Sequence, residues 1–202
     1  MMNAEFTERM HSPDQDDLPG TELLRVARGS IEYGLVQGEP LPIDCGRLPR
    51  SLAERGATFT TLRIEGELRG CRGTLEAAYP LAEDVARSAF QAAFRDFRFD
   101  PVGENELDAV RLEVSVLSPL ETMQVTSEAD LLARLTPGRD GLVIIADGRT
   151  ATLLPKVWEM FPDPRRFLEA LKGKCGLAND YWSDRFEFRR YRTTTYAEPV
   201  QR

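Results

Sequence analysis

Ala57-Thr58-Phe59-Thr60-Thr61-Leu62-Arg63-Ile64 is β-branched and aromatic, and it predicts a strand. Glu65-Gly66-Glu67 supplies a short glycine-containing turn, and Leu68-Arg69-Gly70-Cys71-Arg72-Gly73-Thr74-Leu75 returns as the partner. A hairpin here makes the sheet antiparallel. Two further segments agree with it. In Val110-Arg111-Leu112-Glu113-Val114-Ser115-Val116, the apolar residues take one face and Arg111, Glu113 and Ser115 the other. Leu142 to Ala146 and Thr150 to Leu154 flank Asp147-Gly148, a second hairpin signal.

Helices fall between these strands without regular alternation. One runs from about Thr21 to Tyr33, with Leu24, Ala27 and Ile31 at helical spacing. Pro80 opens another, with Glu83 and Asp84 in its first turn. Val85, Ala89, Ala92 and Ala93 form its small-residue stripe. Phe90, Phe94 and Phe97 supply bulk, and Phe99-Asp100-Pro101 closes it. Ser127 with Asp130 resembles a capping box, and Asp163-Pro164 starts a helix whose stripe is Phe167, Leu168 and Leu171. Phe186 to Tyr196 reads as one final strand with aromatics alternating with charges. The pattern is α+β with largely antiparallel pairing. Residues 1–19 read as a flexible acidic tail and 20–202 as one domain, with Pro119 to Gly138 able to carry a subdomain change.

Composition narrows the chemistry. The 202 residues hold 26 basic and 33 acidic side chains, a net charge of −7, which disfavours a nucleic-acid-coating protein. No apolar run approaches the ~20 residues of a membrane span. The three cysteines, Cys45, Cys71 and Cys175, are widely spaced and predict free thiols in a cytoplasmic protein. Cys175 reads as core, and a metal site from the three has poor spacing. The one histidine, His11, lies in the expected tail. The body therefore lacks a Ser-His-Asp triad, a Cys-His dyad and any site built on two histidines.

Leu68-Arg69-Gly70-Cys71-Arg72-Gly73-Thr74-Leu75 resembles the LRGCxGTL motif of the AMMECR family, also known as protein A of the AmmeMemoRadiSam system. Pro80 to Val85, Ala92 to Asp96 with Arg98-Phe99, and Leu112 to Pro119 are similar to the family's following blocks. Gly141 to Ile144, Leu153 to Val157 and Lys174 to Leu177 continue the similarity in order, over about residues 20–195. The chain departs from the pattern at Arg72, where members often carry a small aliphatic residue, and at Asp140, where many carry histidine. The resemblance implies an α+β fold with a larger and a smaller subdomain. It also implies partnership with a Memo-like protein and a radical S-adenosylmethionine protein, and it supplies no established reaction.

Cys71 is the strongest candidate for chemistry. In a regular strand Arg69, Cys71 and Gly73 share a face and Arg72 points away. A guanidinium beside the thiol favours a reactive thiolate, and Gly70 and Gly73 expose backbone N–H groups. Glu113, as proton acceptor, and Ser115 can line the same cleft. The bland alternative is a glycine-relieved hairpin with Cys71 as a small packed residue. Arg69 and Arg72, with Gly70, Gly73, Thr74 and Ser115, can instead hold an unidentified small ligand. The motif lacks GxGxxG and GK[ST], so no nucleotide or other cofactor is assigned. Arg185, Arg189, Arg190 and Arg192 among Phe186, Phe188, Tyr191 and Tyr196 are the one RNA-like feature, which an edge strand with core aromatics explains as simply. Three functions follow: a ligand- or partner-binding protein, a cysteine-dependent transferase or hydrolase, and, more weakly, a nucleic-acid-binding module.

Overall fold

The computed structural model describes residues 19–199. The tail expected over residues 1–19, with His11, lies outside the described residues up to residue 18. Five α-helices are described: α1 (Pro19–Gln37), α2 (Arg50–Ala53), α3 (Leu81–Phe94), α4 (Glu128–Arg134) and α5 (Pro164–Lys174). The strands are β1 (Arg55–Gly56), β2 (Thr58–Ile64), β3 (Glu67–Gly73), β4 (Tyr79–Pro80), β5 (Arg111–Leu117), β6 (Glu121–Met123), β7 (Gly141–Ala146), β8 (Arg149–Leu153), β9 (Glu187–Tyr191) and β10 (Thr193–Ala197). Two compact units result: residues 19–117 with 194–199, and Ser118–Thr193. The chain changes unit one residue before the Pro119–Gly138 stretch that the sequence allows for such a change.

The first unit holds a sheet of order β10-β5-β2-β3, with β2 antiparallel to both β3 and β5. Glu65 and Gly66 take positive φ, 53° and 85°, the two-residue turn whose twist matches a hairpin. One face of this sheet packs under α1 and α3. Leu62, Leu112 and Val114 meet Ala82, Val85, Ala86, Ala89, Ala92 and Ala93 of α3 there, and Leu23, Val26, Ala27 and Ile31 of α1. The alanine stripe lets α3 lie close to the strands. At Gly70 the approach is closest: a Cβ there would stand 2.2 Å from the carbonyl oxygen of Ala92. At Gly73 a Cβ would meet the carbonyl oxygen of Thr58 at 2.1 Å. These glycines serve close backbone packing.

Helix α3 is shorter than the sequence predicts. It stops at Phe94, and Phe97 is not part of its apolar bulk but stands 87% exposed. The chain turns at Asp96, whose carboxylate binds backbone and guanidinium groups away from the helix axis.

The second unit holds a sheet of order β6-β9-β7-β8. Its core packs α5 through Phe167, Leu168 and Leu171 against Leu142, Ile144 and Phe188, with Trp158 stacked on Phe167 at 3.9 Å. Asp163 caps α5 by accepting from the Arg166 N–H, and Ser127 caps α4 by accepting from the Asp130 N–H. The Asp130 carboxylate reaches back to the Thr126 N–H, so the box closes one residue early. The single final strand expected over Phe186 to Tyr196 is two strands, broken at Arg192. β9 is an inner strand of the second unit's sheet rather than an edge, and β10 joins the first unit beside β5.

Candidate functional site

The LRGC motif is laid out by the register of β3 on β2. Cys71 lies opposite Thr61, and Thr61 lies opposite Glu113. Directly opposed residues point to one face, so this row shares the face turned away from α3. The Thr61 hydroxyl donates to the Cys71 Sγ at 3.4 Å. The next row on that face is Gly73, Phe59 and Ser115, and the Ser115 hydroxyl meets that of Thr195 at 2.9 Å. Cys71 and Glu113 are half-buried, while Thr61 and Ser115 are buried.

A bulge takes Arg69 out of the strand's alternation. Leu62 faces Gly70 and Arg63 faces Leu68, leaving Arg69 without an opposite residue. Its guanidinium binds Glu106 through two bonds, Nε to Oε1 at 2.8 Å and a terminal nitrogen to Oε2 at 2.9 Å, and donates to the Asp100 carbonyl. The Glu106 carboxyl is held below its ordinary range, chiefly by Arg69 and then by the Gly103 N–H. Arg69 is therefore tied to the turn after α3 rather than set beside the thiol. Arg72 faces the α3 side, where it donates to the Arg95 carbonyl at 2.8 Å and lies 5.5 Å from the Phe97 ring centre. Thr74 closes β3 with its hydroxyl accepting from the Glu76 N–H.

The charged groups at Cys71 are ones that sequence reasoning missed. The Asp96 carboxylate accepts from the Cys71 N–H at 2.9 Å and from Arg98 at 2.6 Å. Arg98 also reaches the Cys71 carbonyl at 3.4 Å. The pair thus occupies both backbone groups that β3 turns outward at Cys71, at the sheet edge. Asp96 is 4% exposed, and the Arg98 guanidinium holds its carboxyl far below the usual carboxylate range. A signal existed: an aspartate just past a helix C-terminus opposes the helix dipole and calls for a nearby cation.

The sequence likewise marks Asp84 only as a first-turn acid. It is 2% exposed, and its Oδ2 accepts from the Thr58 N–H at 2.8 Å and the Thr58 hydroxyl at 2.6 Å. Ser88 joins Thr58 and Thr60 to this network. Burial pushes the Asp84 carboxyl up from 3.8 to about 6, against the opposing pull of the Thr58 bonds.

In the second unit, Phe186, Phe188 and Tyr191 are core, while Arg190 pairs with Glu121 and Arg189 with Glu187. Two shallow clefts there, one beside Asp147, Arg149 and Tyr181 and one beside Glu121, Arg134 and Arg190, contain none of the residues expected at the Cys71 site. Cys175 is buried core, and the side chain of Cys45 lies outside the described residues. Among the described residues no group of three or more His, Cys, Asp or Glu is placed for a metal ion. No described helix is long and apolar enough to cross a membrane.

Comparison with known proteins gives a consistent set of likenesses. The AMMECR1 family profile matches residues 24–196. A protein of Methanothermobacter thermautotrophicus is 38% identical over 166 residues, covering 82% of this chain and 86% of its own length. Protein NEQ441 of Nanoarchaeum equitans is 35% identical over 164 residues, covering 80% of this chain and 90% of its own. The crystal structure of uncharacterized protein PH0010 from Pyrococcus horikoshii aligns with TM-score 0.80 at 33% identity, over 89% of this chain and 91% of that one.

Proposed function

This chain belongs to the AMMECR1 family, and from that premise we propose that it is a ligand- or partner-binding component of a modification pathway. In this reading the pathway also employs a Memo-like protein and a radical S-adenosylmethionine protein, and this chain acts in the cytoplasm. The binding element is the strip of Cys71, Thr61 and Glu113 with Gly73 and Ser115 beside it. One observation carries the preference for binding over catalysis: the hydrogen bond at the Cys71 thiol comes from the Thr61 hydroxyl, a donor and not a base. A thiol nucleophile is commonly activated by a base within hydrogen-bond reach. Glu113 stands two strands away, about 10 Å between Cα atoms at ordinary strand spacing.

A cysteine-dependent transferase or hydrolase is the second reading, favoured by the shared row of Cys71, Thr61 and Glu113. In it Cys71 is the nucleophile and Glu113 the base. Titration of the full chain with the purified Memo-like and radical S-adenosylmethionine proteins of the same organism separates the two. Binding predicts a complex with one of them that Cys71→Ser retains. A reaction product that accumulates with the native chain and is lost in Cys71→Ser supports the second reading and overturns the first.

A further inference from the structure

Phe97 is the most exposed large apolar side chain among the described residues, at 87%. Its neighbours are charged. The Arg72 guanidinium lies 5.5 Å from its ring centre, and Arg95 precedes it by two residues, exposed at the end of α3. Arg69 and Arg98 are neutralised by Glu106 and Asp96. Arg72 and Arg95 pair with no carboxylate among the described residues. Arg72 binds a backbone carbonyl and a ring, and Arg95 lies over the Phe90 ring at 5.9 Å. In a chain of net charge −7, this leaves two guanidinium groups without a carboxylate at the turn that carries an exposed phenyl ring.

That combination matches the centre of a protein interface, where phenylalanine and arginine are enriched and long-chain carboxylates are not. Arg72 is already held by the Arg95 carbonyl and the ring, so little side-chain freedom remains to be lost on binding. A free phosphate is disfavoured, because it would engage the two guanidinium groups and leave the exposed phenyl ring without an apolar contact. A nucleic acid is disfavoured too: two unpaired guanidinium groups fall short of the roughly six to ten phosphate contacts that sustain such binding.

We infer that Phe97, Arg72 and Arg95 form a docking surface for an acidic peptide segment of a partner protein. The phenyl ring anchors in an apolar contact, and the two guanidinium groups take carboxylates. The Arg72 and Cys71 side chains point to opposite faces of β3, so Cys71 can be changed without altering this surface. A random peptide library displayed on phage and panned against the full chain tests it. The expected peptides are rich in Asp and Glu around one apolar residue, and their binding weakens as salt rises. Phe97→Ala, a surface change that leaves the fold intact, lowers their affinity about tenfold, as does Arg72→Ala with Arg95→Ala. Cys71→Ser changes nothing, so failure here and failure at the Cys71 row are separable. Four outcomes overturn the inference: no acidic bias in the peptides; binding undiminished in Phe97→Ala; single-stranded RNA binding that Phe97→Ala removes; or self-association of the chain that Phe97→Ala removes.

Discussion

Asp84 and Asp96 stand at opposite ends of α3, both almost shut off from solvent, at 2% and 4% exposed. Their carboxyls shift in opposite directions. Burial raises Asp84 to about 6, while the Arg98 guanidinium holds Asp96 far below the usual range. The difference is a guanidinium in hydrogen-bond contact, which Asp96 has and Asp84 lacks. At the start of α3 the chain offers hydroxyls and an N–H, and the carboxylate joins a packing network of Thr58, Thr60 and Ser88. At the end it offers Arg98, and the carboxylate becomes a fixed charge that holds the β3 edge at Cys71. Burial alone therefore does not mark a functional carboxylate. The partner decides whether the group serves packing or organises a site.

Between the two ends lies the contact that keeps α3 on the sheet, and breaking it has the largest effect. Gly70→Ala places a Cβ against the Ala92 backbone oxygen and costs about 4 kcal/mol in urea unfolding. Next is pH. The folded value of Asp84 lies above its unfolded value of 3.8. Its contribution is fully present below the unfolded value and is lost as pH rises through about 6, a change of up to about 3 kcal/mol. Asp84→Asn flattens the stability profile over that window, and a profile unchanged by the substitution contradicts the account. Asp96 runs the other way: its depressed value contributes stability above the ordinary carboxylate range that is lost in acid. Asp96→Asn leaves Arg98 without its counter-charge and costs about 2 kcal/mol, discounted because Arg98 is 45% exposed. It also speeds hydrogen exchange at the Cys71 amide. Phe97→Ala, on the same turn, changes stability by less than about 0.5 kcal/mol.

How far the sequence reached follows the physics of each feature. The β2–β3 hairpin and the alternation of β5 were legible, because turn chemistry and a period of two are local signals. Together they put Cys71 and Glu113 on one face. The bulge at Arg69 was not legible: an extra strand residue leaves no mark in composition, and it moved the guanidinium from the thiol to Glu106. The end of α3 at Phe94 was missed because Phe97 keeps apolar spacing while a tertiary bond from Asp96 to the Cys71 N–H ends the helix. Asp84 and Ser88 four residues apart, opposite Thr58 and Thr60 two apart, carried a readable sign of a buried polar contact. The split of β9 from β10 depends on which sheet each joins, which no local pattern encodes.

The proposal that the Cys71 row binds and does not react is tested by the iodoacetamide alkylation rate of Cys71 in the folded full chain, followed against pH by peptide mass spectrometry. A binding role predicts a rate no faster than that of free cysteine at every pH, rising only on denaturation. A folded-state rate well above free cysteine at neutral pH, and abolished by Glu113→Gln, would contradict it.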